Sequence, residues 1–210
     1  MLVSVSFLKN KLGIEETIKK IDSSNADMIH VDVMDGEFVS EKNFTYDTIK
    51  DSFIGINKEL DVHLMVNNVF EYVKDFVKLK PKYISFHIEA VDNPKEIISF
   101  LKENNIKVGL AIKPETRVFE LLPYLKDIDL IIVLSVNPGL GGQQFIQDVI
   151  PKIRELNALK SKYNYLISVD GGVNDETIKQ FESDIVVSGS YITMEDDYDL
   201  YINRLKKDSY

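Results

Sequence analysis

The sequence contains no cysteine, and only three of its 210 residues are histidine. The lack of cysteine excludes a disulfide framework and thiolate chemistry. No apolar run approaches the roughly 18 residues that a membrane span requires. Residues 1–7 are too short for the apolar part of a signal peptide and have no basic start. We therefore expect a cytoplasmic protein that does not use a membrane as its partner.

Positive charge is also scarce, since the formal net charge is −9. This balance argues against nucleic acid or an anionic membrane as the main partner. It leaves room for a small anionic substrate, because a few backbone N–H groups can bind a phosphate locally. With 44% hydrophobic and 28% charged residues, the chain is typical of one globular domain, which we expect to span residues 1–210.

Short runs rich in valine and isoleucine alternate with helix-like segments about 25 residues apart. The predicted strands are Leu2–Phe7, Met28–Val33, Leu60–Val66, Tyr83–His87, Lys107–Ile112, Leu130–Val136, Leu166–Asp170 and Asp184–Ser188. The predicted helices are Ile14–Ser23, Tyr46–Ile56, Val69–Leu79, Asn93–Asn104, Val118–Lys126, Phe145–Lys162, Asn174–Phe181 and Asp196–Lys207. Such alternation favours a parallel sheet, and its economical closure is a (β/α)8 TIM barrel. An open doubly wound sheet is the alternative.

The unusual polar residues stand at the ends of the predicted strands, where barrels of this kind carry their functional groups. His30, Asp32 and Met34 alternate along strand two and should share one face. His63 occupies a similar place on strand three, and Asp170 ends strand seven. Two imidazoles and two carboxylates suit one divalent transition metal, such as Zn²⁺, Fe²⁺, Mn²⁺ or Co²⁺. The alternative is that each is a core residue with its hydrogen bonds satisfied.

Glycine-rich loops follow the last three predicted strands. The candidate phosphate contacts in them are Gly139, Gly141, Gly142, Gly171, Gly172, Gly189 and Ser190. Glycine lets the backbone approach a ligand closely, and a phosphate site after strands seven and eight is common in barrels. Each loop taken alone could equally be a tight turn, but three on one rim favour a phosphate.

Two further features bear on chemistry. Met34 and Met65 either fill the core or form an apolar floor that keeps water from a reactive carbon. Asp32 and Asp170 lie on strands that face each other across a barrel mouth. They can therefore exchange protons on opposite faces of a ligand. The alternative is that both carboxylates serve only as metal ligands.

Taken together, these motifs resemble the ribulose-phosphate 3-epimerase family of the pentose phosphate pathway over nearly the whole chain. The resemblance lies in residues 30–36 (HVDVMDG), 61–65 (DVHLM), 87–90 (HIEA), 136–139 (VNPG), 141–143 (GGQ), 169–172 (VDGG) and 189–190 (GS). It implies a (β/α)8 barrel whose single divalent metal is held by His30, Asp32, His63 and Asp170. It also implies that Asp32 and Asp170 double as the acid/base pair.

The resemblance carries further expectations about ligands and assembly. It places the phosphate on the glycine loops and Ser190, and it implies a substrate contact at Ser4. His63, Met34 and Met65 are expected beside the substrate as well. No organic cofactor is needed, and a homo-oligomer, either a dimer or a hexamer, is the expected assembly. The implied reaction interconverts D-ribulose 5-phosphate and D-xylulose 5-phosphate through an enediolate.

The chain departs from the family pattern in four places. Residues 3–9 read VSVSFLK where the family usually reads PSILSAD, and Ser40 follows Val39 where proline is usual. Leu134 stands where a third methionine is usual, and Glu182-Ser183 replaces a Gly-Ala pair. The departures remove none of the four candidate ligands. They leave open a 3-epimerase of a six-carbon ketose phosphate such as D-allulose 6-phosphate, a non-catalytic sugar-phosphate binder, and a metal hydrolase.

Overall fold

The computed structural model describes residues 1–208, so the last two positions of the predicted domain lie outside the described residues. Eight parallel strands close into a barrel in chain order, and β1 pairs with both β2 and β8. The strands are β1 Leu2–Ser6, β2 Met28–Met34, β3 Glu59–Met65, β4 Tyr83–His87, β5 Lys107–Ile112, β6 Leu130–Leu134, β7 Leu166–Asp170 and β8 Ile185–Ser188. The predicted TIM barrel is therefore confirmed.

Helices surround the barrel. They are α1 Ile14–Ser23, α2 Tyr46–Ile49, α3 Val69–Phe76, α4 Pro94–Glu103, α5 Ile150–Leu159, α6 Ser190–Thr193 and α7 Tyr198–Asp208. Within residues 1–208, no helix is long and apolar enough to cross a membrane.

The strands are apolar on their outer face because the helices cover that face. In β2 all seven residues are buried. Ile29, Val31 and Val33 belong to the large cluster that packs between strands and helices. The alternate residues point inward, where Met28 joins a second apolar cluster and His30 and Asp32 follow it toward the carboxyl end. The period of two along a strand thus separates structural residues from the candidate site.

Two predicted helices are wrong. The segment predicted as Val118–Lys126 forms only a 3-10 turn over Val118–Leu121, because Pro123 cannot donate the next helical hydrogen bond. The segment predicted as Asn174–Phe181 forms only a 3-10 turn over Ile178–Gln180. There Phe181 has extended backbone angles, φ −147° and ψ 161°, and its ring stacks on Phe145 at 5.5 Å.

Other boundaries shift for local reasons. The helix predicted from Phe145 begins with a 3-10 turn over Gln147–Val149 and is α-helical only from Ile150, with Pro151 in the first turn of α5. It starts late because Ile146 is extended and its N–H donates to the Ser135 carbonyl. The helix predicted as Tyr46–Ile56 is α2 followed by a 3-10 turn that ends before Gly55, whose φ is +80°. The short helix α6 was not predicted from the sequence.

Candidate metal centre and active site

Four side chains converge at the carboxyl end of the barrel, as the alternation along the strands predicts. His30 and Asp32 come from β2, His63 from β3 and Asp170 from the last position of β7. Each offers one ligand atom, and the four atoms lie within 4.8 Å of one another. The pairing of Asp32 with His63 across β2 and β3 places their side chains next to each other.

The distances indicate that the four groups surround a common point rather than bond to one another. Nε2 of His30 lies 3.3 Å from Oδ1 of Asp32 and 3.6 Å from Oδ2 of Asp170. Nδ1 of His63 lies 3.4 Å from each of the same two oxygens. Both nitrogens are buried, and neither has a hydrogen-bond partner within residues 1–208. A buried polar atom left without a partner is costly, so this arrangement calls for a bound group.

The donor set fits a divalent transition metal. Imidazole nitrogens and carboxylate oxygens are ordinary ligands of zinc and of its neighbours in the first transition row. The two carboxylates also offset the charge of a divalent cation. The unpartnered nitrogens of His30 and His63 are the atoms that such an ion would use. The described residues therefore provide a candidate metal centre.

His30 is held in place by the buried carboxylate of Asp61, on the side of the ring away from the cluster. Its Nδ1 lies 2.8 Å from Oδ2 of Asp61, and the Ser4 hydroxyl donates to that same oxygen over 3.1 Å. When Asp61 accepts from His30 in this contact, the imidazole proton lies on Nδ1 and Nε2 is available to a metal ion. Burial lowers the pKa of His30, but the charges of Asp32 and Asp61 raise it by more, so the pKa lies well above its usual value.

His63 has a different partner, namely a second histidine. Its Nε2 lies 3.0 Å from Nε2 of His87, whose Nδ1 lies 3.0 Å from Oε2 of Glu89. Burial lowers the pKa of His87 to about 4. Burial raises the pKa of Glu89, but hydrogen bonds from His87 and its other neighbours bring it to about 2. His87 is therefore neutral and Glu89 ionised at neutral pH.

The two aspartates differ in their surroundings. The Ser6 hydroxyl donates to Oδ2 of Asp32 over 2.7 Å, while Oδ1 of Asp32 faces the ligand cluster. Burial raises the pKa of Asp32, but His30 and His63 lower it by more, so the net shift is downward. Asp170 is held through its backbone, because the Ser135 hydroxyl donates to the Asp170 carbonyl over 2.9 Å. Each carboxylate thus presents one oxygen to the cluster.

Above the cluster lies a cavity of about 560 Å³. Both aspartates line it, and Met34, Met65 and Leu134 form an apolar wall beside them. Every glycine predicted from the loops lines it too, together with Ser190. These are Gly139, Gly141, Gly142, Gly171, Gly172 and Gly189.

The cavity also departs from the sequence expectations. Ser4 and His63 were expected to contact substrate, but both are fully buried, and among residues 1–208 the lining contains neither. Of the two serines on this face of β1, it is Ser6, two positions further along, that reaches the cavity. Sequence reasoning also missed the partner roles of Asp61, His87 and Glu89. The sequence did carry a signal for them. Asp61 shares a face of β3 with the candidate ligand His63, and His87 and Glu89 stand at the end of β4, the strand next to β3.

Lys9 was missed as well. It lines the cavity beside the first glycine loop, and its Nζ would lie 2.8 Å from a Cβ placed on Gly142. Lys9 is exposed, and no ion pair of Lys9 is present within residues 1–208. It is the one lysine or arginine among the described residues that line the cavity, so it adds positive charge to the glycine rim.

The fold and the cluster together define a class: a (β/α)8 barrel with a candidate metal centre at the carboxyl end of its strands. The model of the ribulose-phosphate 3 epimerase family matches residues 2–193. The chain belongs to the ribulose-phosphate 3-epimerase family, as the sequence motifs predicted, and it is a carbohydrate epimerase, an isomerase.

Individual relatives agree with this assignment. The chain is 38% identical to a ribulose-phosphate 3-epimerase of Helicobacter pylori, over 90% of this chain and 89% of the relative. It is 41% identical to one from Buchnera aphidicola, over 98% and 94% of the two chains. It is 35% identical to one from Bacillus subtilis, over 90% of each.

Solved structures with less similar sequences share the barrel. KGPDC from Streptococcus mutans superposes with a TM-score of 0.72 at 13% identity, covering 99% of this chain and 96% of that one. The 3-hexulose-6-phosphate synthase from Salmonella typhimurium gives a TM-score of 0.68 at 19% identity, covering 99% and 98%. At these identities the likeness shows the fold alone.

Proposed function

We propose that the protein is a metal-dependent epimerase that inverts C3 of D-ribulose 5-phosphate and D-xylulose 5-phosphate. The observation that carries the proposal is the pair Asp32 and Asp170. Both line the cavity, and each directs one oxygen to the candidate metal centre. An acid/base pair on opposite faces of one carbon is what inversion through a planar intermediate requires.

Proton transfer is the work of the two carboxylates. The C3 proton lies next to a carbonyl, so its removal gives an enediolate. One aspartate, ionised at the start, accepts that proton, and the other, protonated at the start, delivers its proton to the opposite face, so one turnover exchanges their protonation states. The oxygens free for this work are Oδ2 of Asp32, which also accepts from Ser6, and Oδ1 of Asp170. The roles exchange in the reverse direction.

His30, Asp32, His63 and Asp170 would hold the divalent cation. When bound, it supplies Lewis-acid stabilisation of negative charge on the sugar oxygens. Met34, Met65 and Leu134 exclude water from the same region and strengthen electrostatic interactions there. The residues that hold the cation therefore also frame the reacting carbon. No organic cofactor enters this scheme.

The glycine rim is the proposed phosphate site. The backbone is close packed there, since a Cβ on Gly171 would lie 2.4 Å from Cγ2 of Val136. A Cβ on Gly172 would lie 2.5 Å from the backbone nitrogen of Phe145. Only glycine allows the chain to pass at these two points, and a backbone without a side chain can approach an anion closely. Binding the phosphate remote from C3 helps to orient the sugar between the aspartates.

The test is an NMR assay in D₂O with metal-replete protein. D-Ribulose 5-phosphate and D-allulose 6-phosphate are incubated separately, and C3 is followed in each. We expect deuterium at C3 together with formation of xylulose 5-phosphate. Faster turnover of the six-carbon sugar would replace the proposed substrate with the hexose alternative. No exchange with either sugar, in a folded preparation that contains metal, would leave only a binding role.

We also infer that the described barrel is one domain with one active site. The expected homo-oligomer and the expected cytoplasmic location stay predictions.

A further inference from the structure

We infer that Glu89 and His87 form a positioning relay that sets which nitrogen of His63 faces the candidate metal centre. This inference rests on the metal-binding part of the proposed function. The relay runs outward from the buried ligand to a carboxylate on the barrel rim. It is made of side chains to which the proposed reaction gives no other role.

The direction of the hydrogen bonds begins at Glu89. Its Oε1 accepts the backbone N–H of Lys113 over 2.8 Å and the hydroxyl of Thr116 over 2.5 Å. Its Oε2 is the atom that meets Nδ1 of His87 over 3.0 Å. Because an ionised carboxylate has no proton to give, the proton in this contact belongs to Nδ1 of His87.

The next contact follows from the first. A neutral imidazole with its proton on Nδ1 has a lone pair on Nε2. Nε2 of His87 lies 3.0 Å from Nε2 of His63, so His63 must donate there. The remaining nitrogen of His63, Nδ1, then carries the lone pair, and it is the unpartnered atom that lies 3.4 Å from both aspartates.

Packing fixes the relay in place. The His87 ring lies between His63, with centroids 5.1 Å apart, and Phe38, with centroids 4.7 Å apart. Nζ of Lys113 lies 4.1 Å from the centroid of the Phe38 ring. His87 is fully buried, so it has no water with which to exchange these contacts.

The other ligand histidine shows what is specific to this relay. His30 meets the carboxylate of Asp61 directly, and both are fully buried. His63 instead depends on a carboxylate whose side chain is 20% exposed and which is tied to the loop after β5. The orientation of His63 is therefore linked to the rim of the barrel, whereas that of His30 is sealed inside it.

The experiment measures Zn²⁺ affinity by competition with a chromophoric chelator, without any sugar. Glu89→Gln keeps the shape and can still accept from Lys113, but its amide no longer fixes the His87 proton. Glu89→Leu removes the acceptor altogether. Glu115→Gln is the matched control, because Glu115 is exposed and lies in the loop after β5 that Glu89 contacts. Thermal unfolding of each metal-free variant checks that it is folded.

We expect Glu89→Gln to weaken zinc binding about tenfold and Glu89→Leu by more, within the range of about 10–100-fold known for such outer partners. The control should stay within about twofold, since surface changes away from a site have small effects. Zinc affinity within twofold of wild type in both Glu89 variants overturns the relay.

A second readout is the proton position itself. With only three histidines in the chain, ¹⁵N-histidine labelling gives a spectrum that can be assigned ring by ring. We expect zinc-loaded wild type to show protons on Nε2 of His63 and Nδ1 of His87, and Glu89→Gln to lose the single tautomer of His87. A His87 proton on Nε2 in wild type overturns the relay even if affinity falls. Failure of wild type to bind zinc would overturn the metal centre and the relay together. Zinc binding by wild type with unchanged affinity in the Glu89 variants would overturn the relay alone, so the two proposals can be told apart.

Discussion

Replacing Asp170 with asparagine separates proton transfer from metal binding. The amide oxygen can occupy the place of Oδ2, which lies 3.6 Å from Nε2 of His30 and 3.4 Å from Nδ1 of His63. The amide nitrogen then stands where the other oxygen was, and it cannot accept a proton. General acid–base catalysis contributes about 10²–10⁴-fold, or about 3–5 kcal/mol of the barrier. We therefore expect kcat to fall by about 10²–10⁴-fold.

The change also removes one negative charge from the ligand set, so metal loading must be measured in the same samples. Zinc content is brought to that of wild type with excess Zn²⁺ before the assay. Asp148→Asn is the matched control. Asp148 is exposed and lies in the 3-10 turn just before α5, so this variant should behave as wild type. A fall in kcat that disappears on zinc loading would assign Asp170 to metal binding alone.

Deuterium labelling gives the sharper result. In Asp170→Asn the remaining carboxylate, Asp32, can still exchange the C3 proton on its own face. One of the two epimeric sugars should then take up deuterium without forming product, and Asp32→Asn should label the other sugar. Labelling of the same sugar by both variants, or product formation at the wild-type rate by either, would refute the assignment of one aspartate to each face.

Three further predictions concern the metal and the phosphate rim. Chelation should abolish epimerisation and lower Tm. Zinc affinity should fall as pH decreases from about 8 to about 6, because the pKa values of His30 and His63 are raised and zinc must displace their protons to bind. Gly172→Ala adds a Cβ 2.5 Å from the Phe145 nitrogen at a φ of +64°, and should cost about 2–5 kcal/mol of unfolding free energy. Lys9→Gln should raise KM for the phosphorylated sugar several-fold and leave kcat unchanged, since the cation stands at the rim and not at the aspartates.

Each of these has a clear contrary outcome. Full activity in a preparation free of metal, or a zinc affinity that does not change with pH, would contradict the metal centre. Gly55→Ala, with φ +80° and open space around it, measures backbone strain alone. If Gly172→Ala and Gly55→Ala lower the unfolding free energy equally, the backbone around Phe145 has moved to accommodate the new Cβ, and the predicted cost of the close contact is wrong. An unchanged KM in Lys9→Gln would place the phosphate elsewhere.

The barrel and the convergence of the four candidate ligands could be predicted because both follow from local patterns. A run such as residues 28–34 shows its own period of two, and the inward residues of such strands meet at one end of the barrel. The helices after β5 and β7 were misjudged because Pro123 and the stacking of Phe181 outweigh the apolar spacing.

The contacts behind the ligands could not be predicted in the same way. His63 pairs with Ser85 in the β3–β4 register, so its bond to His87 depends on the stagger between neighbouring strands. Whether Ser4 or Ser6 reaches the cavity depends on the same stagger, because both share a face of β1. Alternation along one strand carries no information about depth in the barrel.

The order of the strands has a consequence for biosynthesis. Of the eight barrel strands, β1 is synthesised before the others and β8 after them, yet the two are neighbours in the sheet. Until β8 emerges, one edge of β1 exposes unpaired backbone groups that another chain could pair with. The ligand set is likewise split, with three members on β2 and β3 and the fourth on β7. A nascent chain therefore lacks one of the four candidate ligands until β7 has been made, and the cluster can be completed only late in synthesis.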